Sequence, residues 1–345
     1  MAEGFVRNGW YATAWSEEVT RAPIERWVTG IPMVLYRKED GAAAVLEGTC
    51  PHRGAPLALG RLRGDDIECG YHGIKFDCKG ACVAVPQQQR VPTVMRVRAF
   101  PFIERGGLIW SWPGDPAKAD PALCYEHWLA DPALGSAQVT RVVEARHSLL
   151  VDNLMDLSHE TYLHDDSIGD ENVTTVPLET AVFDDHISSK RTMRNIDPPP
   201  FFQKVGGLTG KIDRSQTAEF WAPGLCLTLG LGEPQSPGQS PFAYTVIHCL
   251  TPETATRTRY YLATAYPREV CKRSGISEAD LNKMMVQVIA RVLDQDTGML
   301  HATEKHLQNI PPDLVERSIA CDTGGLAARK LFAARLKMEH EPAAA

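Results

Sequence analysis

C-P-H-R-G-A-P at residues 50–56 and C-G-Y-H-G at residues 69–73 stand with sixteen residues between His52 and Cys69. Each stretch offers one cysteine and one histidine, spaced C-x-H in the first and C-x-x-H in the second. Together they supply two thiolates and two imidazoles. Soft thiolates suit one iron of a pair and neutral nitrogens the other, so the set makes an asymmetric two-iron centre. Replacing two anionic ligands by imidazoles raises its potential above that of an all-cysteine ferredoxin.

The same four side chains could make a zinc site, but structural zinc pairs Cys with Cys and His with His at short spacing. Here each loop mixes the two. Gly54 and Gly73 follow the histidines closely, as expected where loop tips approach a cluster and offer backbone N–H groups to its sulfurs. The set therefore reads as a Rieske [2Fe-2S] centre held by Cys50, His52, Cys69 and His72.

The chain has 345 residues, room for two domains. Hydrophobic residues are 43% and charged residues 23%, the balance of a soluble globular protein. A net charge of −7 and a pI near 5.9 argue against nucleic acid and against an anionic membrane surface. There is no apolar leader and no apolar run of about 18 residues. Nine irregularly spaced cysteines, two of them assigned to the cluster, read as reduced thiols of a cytoplasmic protein. Cys78 and Cys82, spaced C-x-x-x-C, read as structural.

From Phe5 to Trp112, short runs broken by Gly, Pro and Asp predict an all-β unit with strands at 27–30, 33–37, 43–46, 67–69, 94–100 and 108–112. W-P-G-D-P-A-K-A-D-P at 112–121 marks a boundary, giving domains 1–115 and 116–345. Runs at 139–146, 181–183, 187–192, 215–221, 225–231, 242–250 and 258–265 predict one large antiparallel sheet. Residues 206–210 and 232–241, rich in Gly and Pro, are expected to be loops that cover a pocket.

Two helices carry the rest. In R-H-S-L-L-V-D-N-L-M-D-L-S-H-E-T-Y-L-H at 146–164, Leu149, Leu150, Leu154, Leu157 and Leu163 recur at helical spacing. Asn153, Asp156 and His159 follow at i, i+3 and i+6 on one face. At 277–308, Ser277 suits an N-cap, with Glu278 and Asp280 in the first turn. The stripe Leu281, Met285, Val288, Ile289 and Val292 continues onto Asp296. A carboxylate on the buried face costs several kcal/mol unless a cation or strong donors meet it. Asp294 points about 200° away from Val292, off that face.

Two histidines and one carboxylate form a facial triad that leaves coordination positions open, the usual home of Fe(II) that activates dioxygen. His159, His164 and Asp296 would supply it. The histidines are five residues apart, roughly 140° around a helix, so the helix must bulge or end between them. A helical histidine is otherwise a hydrogen-bonded core or surface residue, and the residues alone leave both readings open.

These motifs resemble the Rieske non-haem iron oxygenases over essentially the whole chain. That family's pattern D/N-x-x-D-x-x-H-x(4)-H is matched at Asn153, Asp156, His159 and His164, and its third ligand, an Asp on a C-terminal helix, at Asp296. N-x-W-Y, C-P-H-R-G-A-P-L, D-P-P-P-F-F and L-T-P-E-T are similar to the vanillate O-demethylase oxygenase group, with dicamba demethylase and toluenesulfonate methyl-monooxygenase as related subgroups. Ala55 and Tyr71 stand where high-potential respiratory Rieske proteins carry a further disulfide. One departure is His301, where the family has an acidic residue; His306 lies further on.

The resemblance implies an α+β fold: an all-β Rieske domain, then a catalytic domain with an antiparallel sheet flanked by helices, helix-grip-like. It implies a [2Fe-2S] cluster, mononuclear Fe(II) and O2 as cosubstrate. The activity implied is that of a terminal oxygenase that O-demethylates a methoxylated aromatic acid, vanillate-like, to a phenol and formaldehyde. The alternatives are hydroxylation of an aryl methyl group, ring dihydroxylation, or an electron-carrier protein, which needs only about the first 110 residues. No G-x-G-x-x-G fingerprint is present, so NAD(P)H and flavin are expected on a separate reductase. A head-to-tail homotrimer is implied, with Asp156 reaching a cluster histidine of the next chain; at i−3 from His159 on one helical face, its carboxylate is also expected to accept that ring's other N–H. His248 matches a substrate-binding histidine of the dicamba-type relatives and would donate to a carboxylate; pairing across the sheet is its other reading.

Overall fold

Strands of two to seven residues cannot bury a face alone, so in the first part of the chain they collect into three small antiparallel sheets. The protein is described by a computed structural model covering residues 4–125, 131–165, 168–311 and 316–340. Its chain divides into two compact units, Met1–His127 with Thr251–Thr254, and Trp128–Leu250 with Ala255–Ala345.

In the first unit the strands are β1 (Tyr11–Trp15), β2 (Ile24–Val28), β3 (Ile31–Arg37), β4 (Ala43–Glu47), β5 (Arg61–Arg63), β6 (Asp66–Glu68), β7 (Lys75–Phe76), β8 (Cys82–Ala84), β9 (Phe102–Arg105) and β10 (Leu108–Ser111). Their sheets run β1-β10-β9, β2-β3-β4 and β5-β6-β7-β8. β3 is buried on both faces, and its alternation feeds two cores. Val34 and Tyr36 pack with Cys50, Ile67, Cys69 and Phe76, while Met33 and Leu35 pack with Tyr11, Val28 and Ile109. The strand expected at 94–100 is absent; Arg96 and Ala99 make isolated bridges only. Val97 enters one core and Phe100 the other, which pulls this segment off any single sheet edge.

The second unit contains β11 (Leu134–Val143), α1 (His147–Met155), α2 (Glu160–Leu163), α3 (Asn172–Thr175), β12 (Glu179–Val182), β13 (His186–Ile196), α4 (Pro200–Lys204), β14 (Ile212–Trp221), β15 (Leu225–Pro234), all of β16 (Phe242–Thr254) but its last four residues, β17 (Arg257–Pro267), α5 (Glu269–Ser274), α6 (Glu278–Leu307) and α7 (Thr323–His340). The seven strands form one antiparallel sheet, ordered β11-β17-β16-β15-β14-β13-β12. Along β14 the inward positions are Ile212, Arg214, Gln216, Ala218 and Phe220. Ser277 caps α6 as expected, its side chain accepting from the Asp280 N–H at 3.1 Å. Leu281, Met285, Leu293 and Leu300 of α6 pack into the cores of this unit. Among the described residues no helix is long and apolar enough to cross a membrane. The α+β architecture, an all-β N-terminal part and a large antiparallel sheet with helices, is the one expected.

Candidate active site and metal centres

Loops 50–55 and 69–74 repeat one backbone pattern. The Gly54 N–H donates to the Cys50 carbonyl at 2.9 Å and the Gly73 N–H to the Cys69 carbonyl at 2.9 Å. The Cys50 N–H donates to Ala55 at 2.9 Å and the Cys69 N–H to Ile74 at 2.8 Å. Both turns need a left-handed residue, and Gly54 and Gly73 supply it with φ of 73° each. The result buries both cysteines and brings the His52 and His72 rings to 4.5 Å between centroids.

Two observations fit these residues to a two-iron cluster. His52 Nδ1 is buried without a hydrogen-bond partner, which is costly unless a metal takes its lone pair. No three of the four donor atoms lie within 4.8 Å of one another, whereas ligands of one tetrahedral zinc sit roughly 3.3–3.8 Å apart.

The second centre is built where α1 breaks. At Asp156 the backbone turns extended (φ −121°, ψ 94°), and its carboxylate accepts the Ser158 N–H at 3.0 Å and hydroxyl at 2.8 Å, capping a new turn at Leu157–His159. α2 then stops at Leu163, leaving His164 off helical geometry (φ −118°, ψ 28°). These breaks turn two histidines five residues apart toward one point. His164 Nε2 lies 3.1 Å and His159 Nε2 3.5 Å from Asp296 Oδ1, and one ligand atom from each of the three residues falls within 4.8 Å of the others. Asp296 is buried on α6, while Asp294 is exposed and paired with Arg141.

Each ring is held through its other nitrogen. His159 Nδ1 contacts the Asp156 carbonyl at 2.6 Å, and His164 Nδ1 contacts Gln295 Oε1 at 2.9 Å. Both acceptors require Nδ1–H, so each ring meets the carboxylate through Nε2, as an N–H donor while the ring is protonated and as a free lone pair for a metal once that proton leaves. Asn153 Nδ2 donates to Asp296 Oδ1 at 3.2 Å. Burial alone would raise the Asp296 carboxyl, but the contacts from His159 and His164 outweigh it and hold it at about 2. One anion and two imidazole nitrogens thus converge where a divalent cation would sit, the donor set of a facial triad with open positions.

The carboxylate of Asp156 does not accept the His159 ring N–H, contrary to the reading of a single helical face. The carbonyl does so, because the break at Asp156 turns the side chain toward Ser158 and toward Arg191, 3.3 Å away.

A cavity of about 170 Å³ opens beside the triad. Its walls are apolar and aromatic: Phe201 and Phe202 from α4, Leu262 from β17, and Met285, Ile289 and Val292 from α6. The expected lids do not line it, since neither 206–210 nor 232–241 reaches the cavity; Thr209 and Gln239 instead tie those two loops together at 2.8 and 3.0 Å. His248 does line it. Burial pushes its imidazole down to about 3, so the ring is neutral. Its Nε2 lies 3.1 Å from Thr228 Oγ1 and its Nδ1 bonds Tyr260, partners on the two neighbouring strands.

Sequence reasoning missed Glu160, Arg214 and Gln216, all buried, of which Glu160 and Arg214 line the cavity. Gln216 Nε2 donates to both Glu160 oxygens, at 3.0 and 2.9 Å. The signal was in β14: read from Ile212, a charged and an amide side chain fall in phase with Ala218 and Phe220.

Two family models match the chain: the Rieske [2Fe-2S] domain at residues 9–96 and the vanillate O-demethylase oxygenase C-terminal domain at 143–338. A vanillate O-demethylase oxygenase subunit from Pseudomonas sp. (strain HR199 / DSM 7063) is 32% identical, over 98% of this chain and 97% of that protein. An iron-sulfur subunit of a toluene-4-sulfonate monooxygenase system from Comamonas testosteroni is 31% identical, over 97% and 98%. Dicamba monooxygenase solved with 3,6-dichlorosalicylic acid superposes with a TM-score of 0.89 at 30% identity, covering 99% of this chain and all of that one. With two cysteine-histidine loops in a matched Rieske domain and a matched catalytic domain behind them, the chain belongs to the Rieske non-haem iron oxygenases, in the vanillate O-demethylase group.

Proposed function

We propose that the protein is the terminal oxygenase of a multicomponent system that O-demethylates a methoxylated aromatic acid of the vanillate type. The observation that carries this reading is the cavity itself, mostly apolar and aromatic with His159, His164 and Asp296 at its wall. Such a space binds one aromatic ring and holds it beside the only cluster of imidazole and carboxylate groups lining it among the described residues. The relatives matched are named for vanillate and toluene-4-sulfonate, and the solved neighbour holds a chlorinated salicylic acid; all are substituted aromatic acids.

The [2Fe-2S] cluster held by Cys50, His52, Cys69 and His72 and the iron held by the triad supply one-electron transfer and dioxygen activation when bound. The residues do the rest. The apolar walls orient the ring and exclude water, and Asn153 and Gln295 hold Asp296 and His164 in place. The net reaction joins the methoxy substrate, O2, two electrons and two protons to give the phenol, formaldehyde and water. The electrons come from NAD(P)H through a separate flavin-bearing reductase. We assign the working form to a homotrimer in which Asp156 lies on the path from a cluster histidine of the partner subunit to His159. Nine cysteines with no disulfide among them fit a reducing compartment, and we place the protein in the cytoplasm.

The test is a coupled assay with a reductase over a panel of methoxybenzoates. Formaldehyde released one-for-one with NADH consumed supports the reading, and NADH use with no formaldehyde from any member overturns it. Iron analysis separates it from an electron carrier: about three irons per chain for the oxygenase, about two for the carrier.

A further inference from the structure

β14 carries a guanidinium on its buried face. Arg214 alternates inward with Ile212 and Phe220 and is almost wholly buried, 4% exposed. A buried cation needs partners on every side. Asp170 takes Nη1, the Tyr244 side chain hydrogen-bonds the group, and the Phe202 ring lies 5.4 Å from the guanidinium carbon. Nε, also buried, has no partner. A guanidinium offers five N–H groups along two edges that each match a carboxylate; Asp170 and the nearby buried Glu160 carboxylate answer part of the charge of Arg214, and Nε is left without a partner.

The position of Arg214 gives it a use. Among the described residues that line the cavity, Arg214 is the single Lys or Arg. Met285, Val288, Ile289 and Val292 of α6, also in the lining, offer no donor. His248, the residue the sequence points to, is neutral and engaged with Thr228 and Tyr260, so it can donate a hydrogen bond but offers no charge. Asp170, Tyr244 and Phe202 hold the guanidinium in place before any ligand arrives, which lowers the ordering cost of binding.

We propose that Arg214 is the specificity-determining residue that binds the carboxylate of the substrate through its guanidinium, leaving the rest of the ring in the mostly apolar cavity beside the triad. This rests on the aromatic-acid reading above and adds to it the residue that selects an acid over a neutral arene.

Binding of a methoxybenzoate and of its carboxamide to the iron-loaded enzyme, by calorimetry, tests it. The wild type is expected to prefer the acid by about 30-fold or more, and R214Q to lose that preference while holding the amide within about threefold. Because R214Q strands a buried Asp170, R214Q/D170N removes the ion pair as a unit, and R214K keeps the charge without the planar fork. The double variant is expected to behave as R214Q does, and R214K to retain part of the preference. The melting temperature and the visible spectrum of the cluster confirm that each variant is folded. An acid-to-amide ratio unchanged from wild type in either neutral variant, or a wild-type ratio near one, overturns the assignment. Arg214-dependent acid binding by an enzyme that releases no formaldehyde leaves this assignment standing and rejects the demethylase reading alone.

Discussion

Asp296 receives three polar neighbours at one end: His164 at 3.1 Å, Asn153 at 3.2 Å and His159 at 3.5 Å. Its carboxylate is held ionised by the two imidazoles despite burial, and that charge is what a divalent cation would meet. Asp296→Asn should therefore lose the mononuclear iron while the [2Fe-2S] absorption stays, cutting turnover to below about 1% of wild type. Asn153→Ala acts one step further out: it frees Asp296 to rotate and should weaken iron binding by about 10–100-fold without touching the cluster. Iron analysis beside the visible spectrum reads both. Unchanged iron in Asp296→Asn would remove Asp296 from the ligand set. Asp296 was legible from helical phase, and His159 and His164 from a family motif, because phase and motif are one-dimensional properties. The carbonyl of Asp156 as the partner of His159 was not, since backbone acceptors carry no letter in a sequence.

Elements hold these residues in register. Glu304, buried near the end of α6, accepts from Arg146 Nε at 2.7 Å and Nη2 at 2.8 Å and from the Arg146 N–H at 3.1 Å, fixing α6 against the start of α1. Arg146 holds the Glu304 carboxyl at about 2, below its ordinary 4.5. The folded value is the depressed one, so this contribution is fully present above pH 4.5 and is lost as pH falls through about 2. Glu304→Gln should lower stability at neutral pH by roughly 2 kcal/mol and flatten the acid dependence of the melting temperature below pH 4.5. An identical acid slope in wild type and variant would show that the pair does not contribute. The long helix, its Ser277 cap and the inward phase of Asp296 were readable because they repeat over many turns. Arg214 escaped notice for a physical reason: starting β14 at Ser215 instead of Ile212 left it outside the strand, and phase means nothing without a start.

At the scale of the molecule, the two metal centres belong to different parts of the chain, and turnover needs electrons to pass between them. Asp156, pinned by Ser158 and Arg191 with its own carbonyl on His159, is the residue placed on that path in the proposed trimer. Asp156→Asn should keep the trimer, a reducible cluster and bound iron, yet lose most turnover; near-normal turnover, or an active monomer, would exclude that route. The all-β Rieske part was legible from the two cysteine-histidine loops, and the catalytic part from the strand runs and the histidine motif behind them. The cavity was not, because its lining comes from α2, α4, α6 and strands far apart in the chain. The central claim is oxidation of a methoxy carbon, and its most direct measurement is mass spectrometry of products formed from a methoxybenzoate labelled with 18O in the ether oxygen. The account predicts a phenol that keeps the label, with formaldehyde released in equal amount; a phenol that has lost the label, or a dihydrodiol with the methoxy group intact, would contradict it.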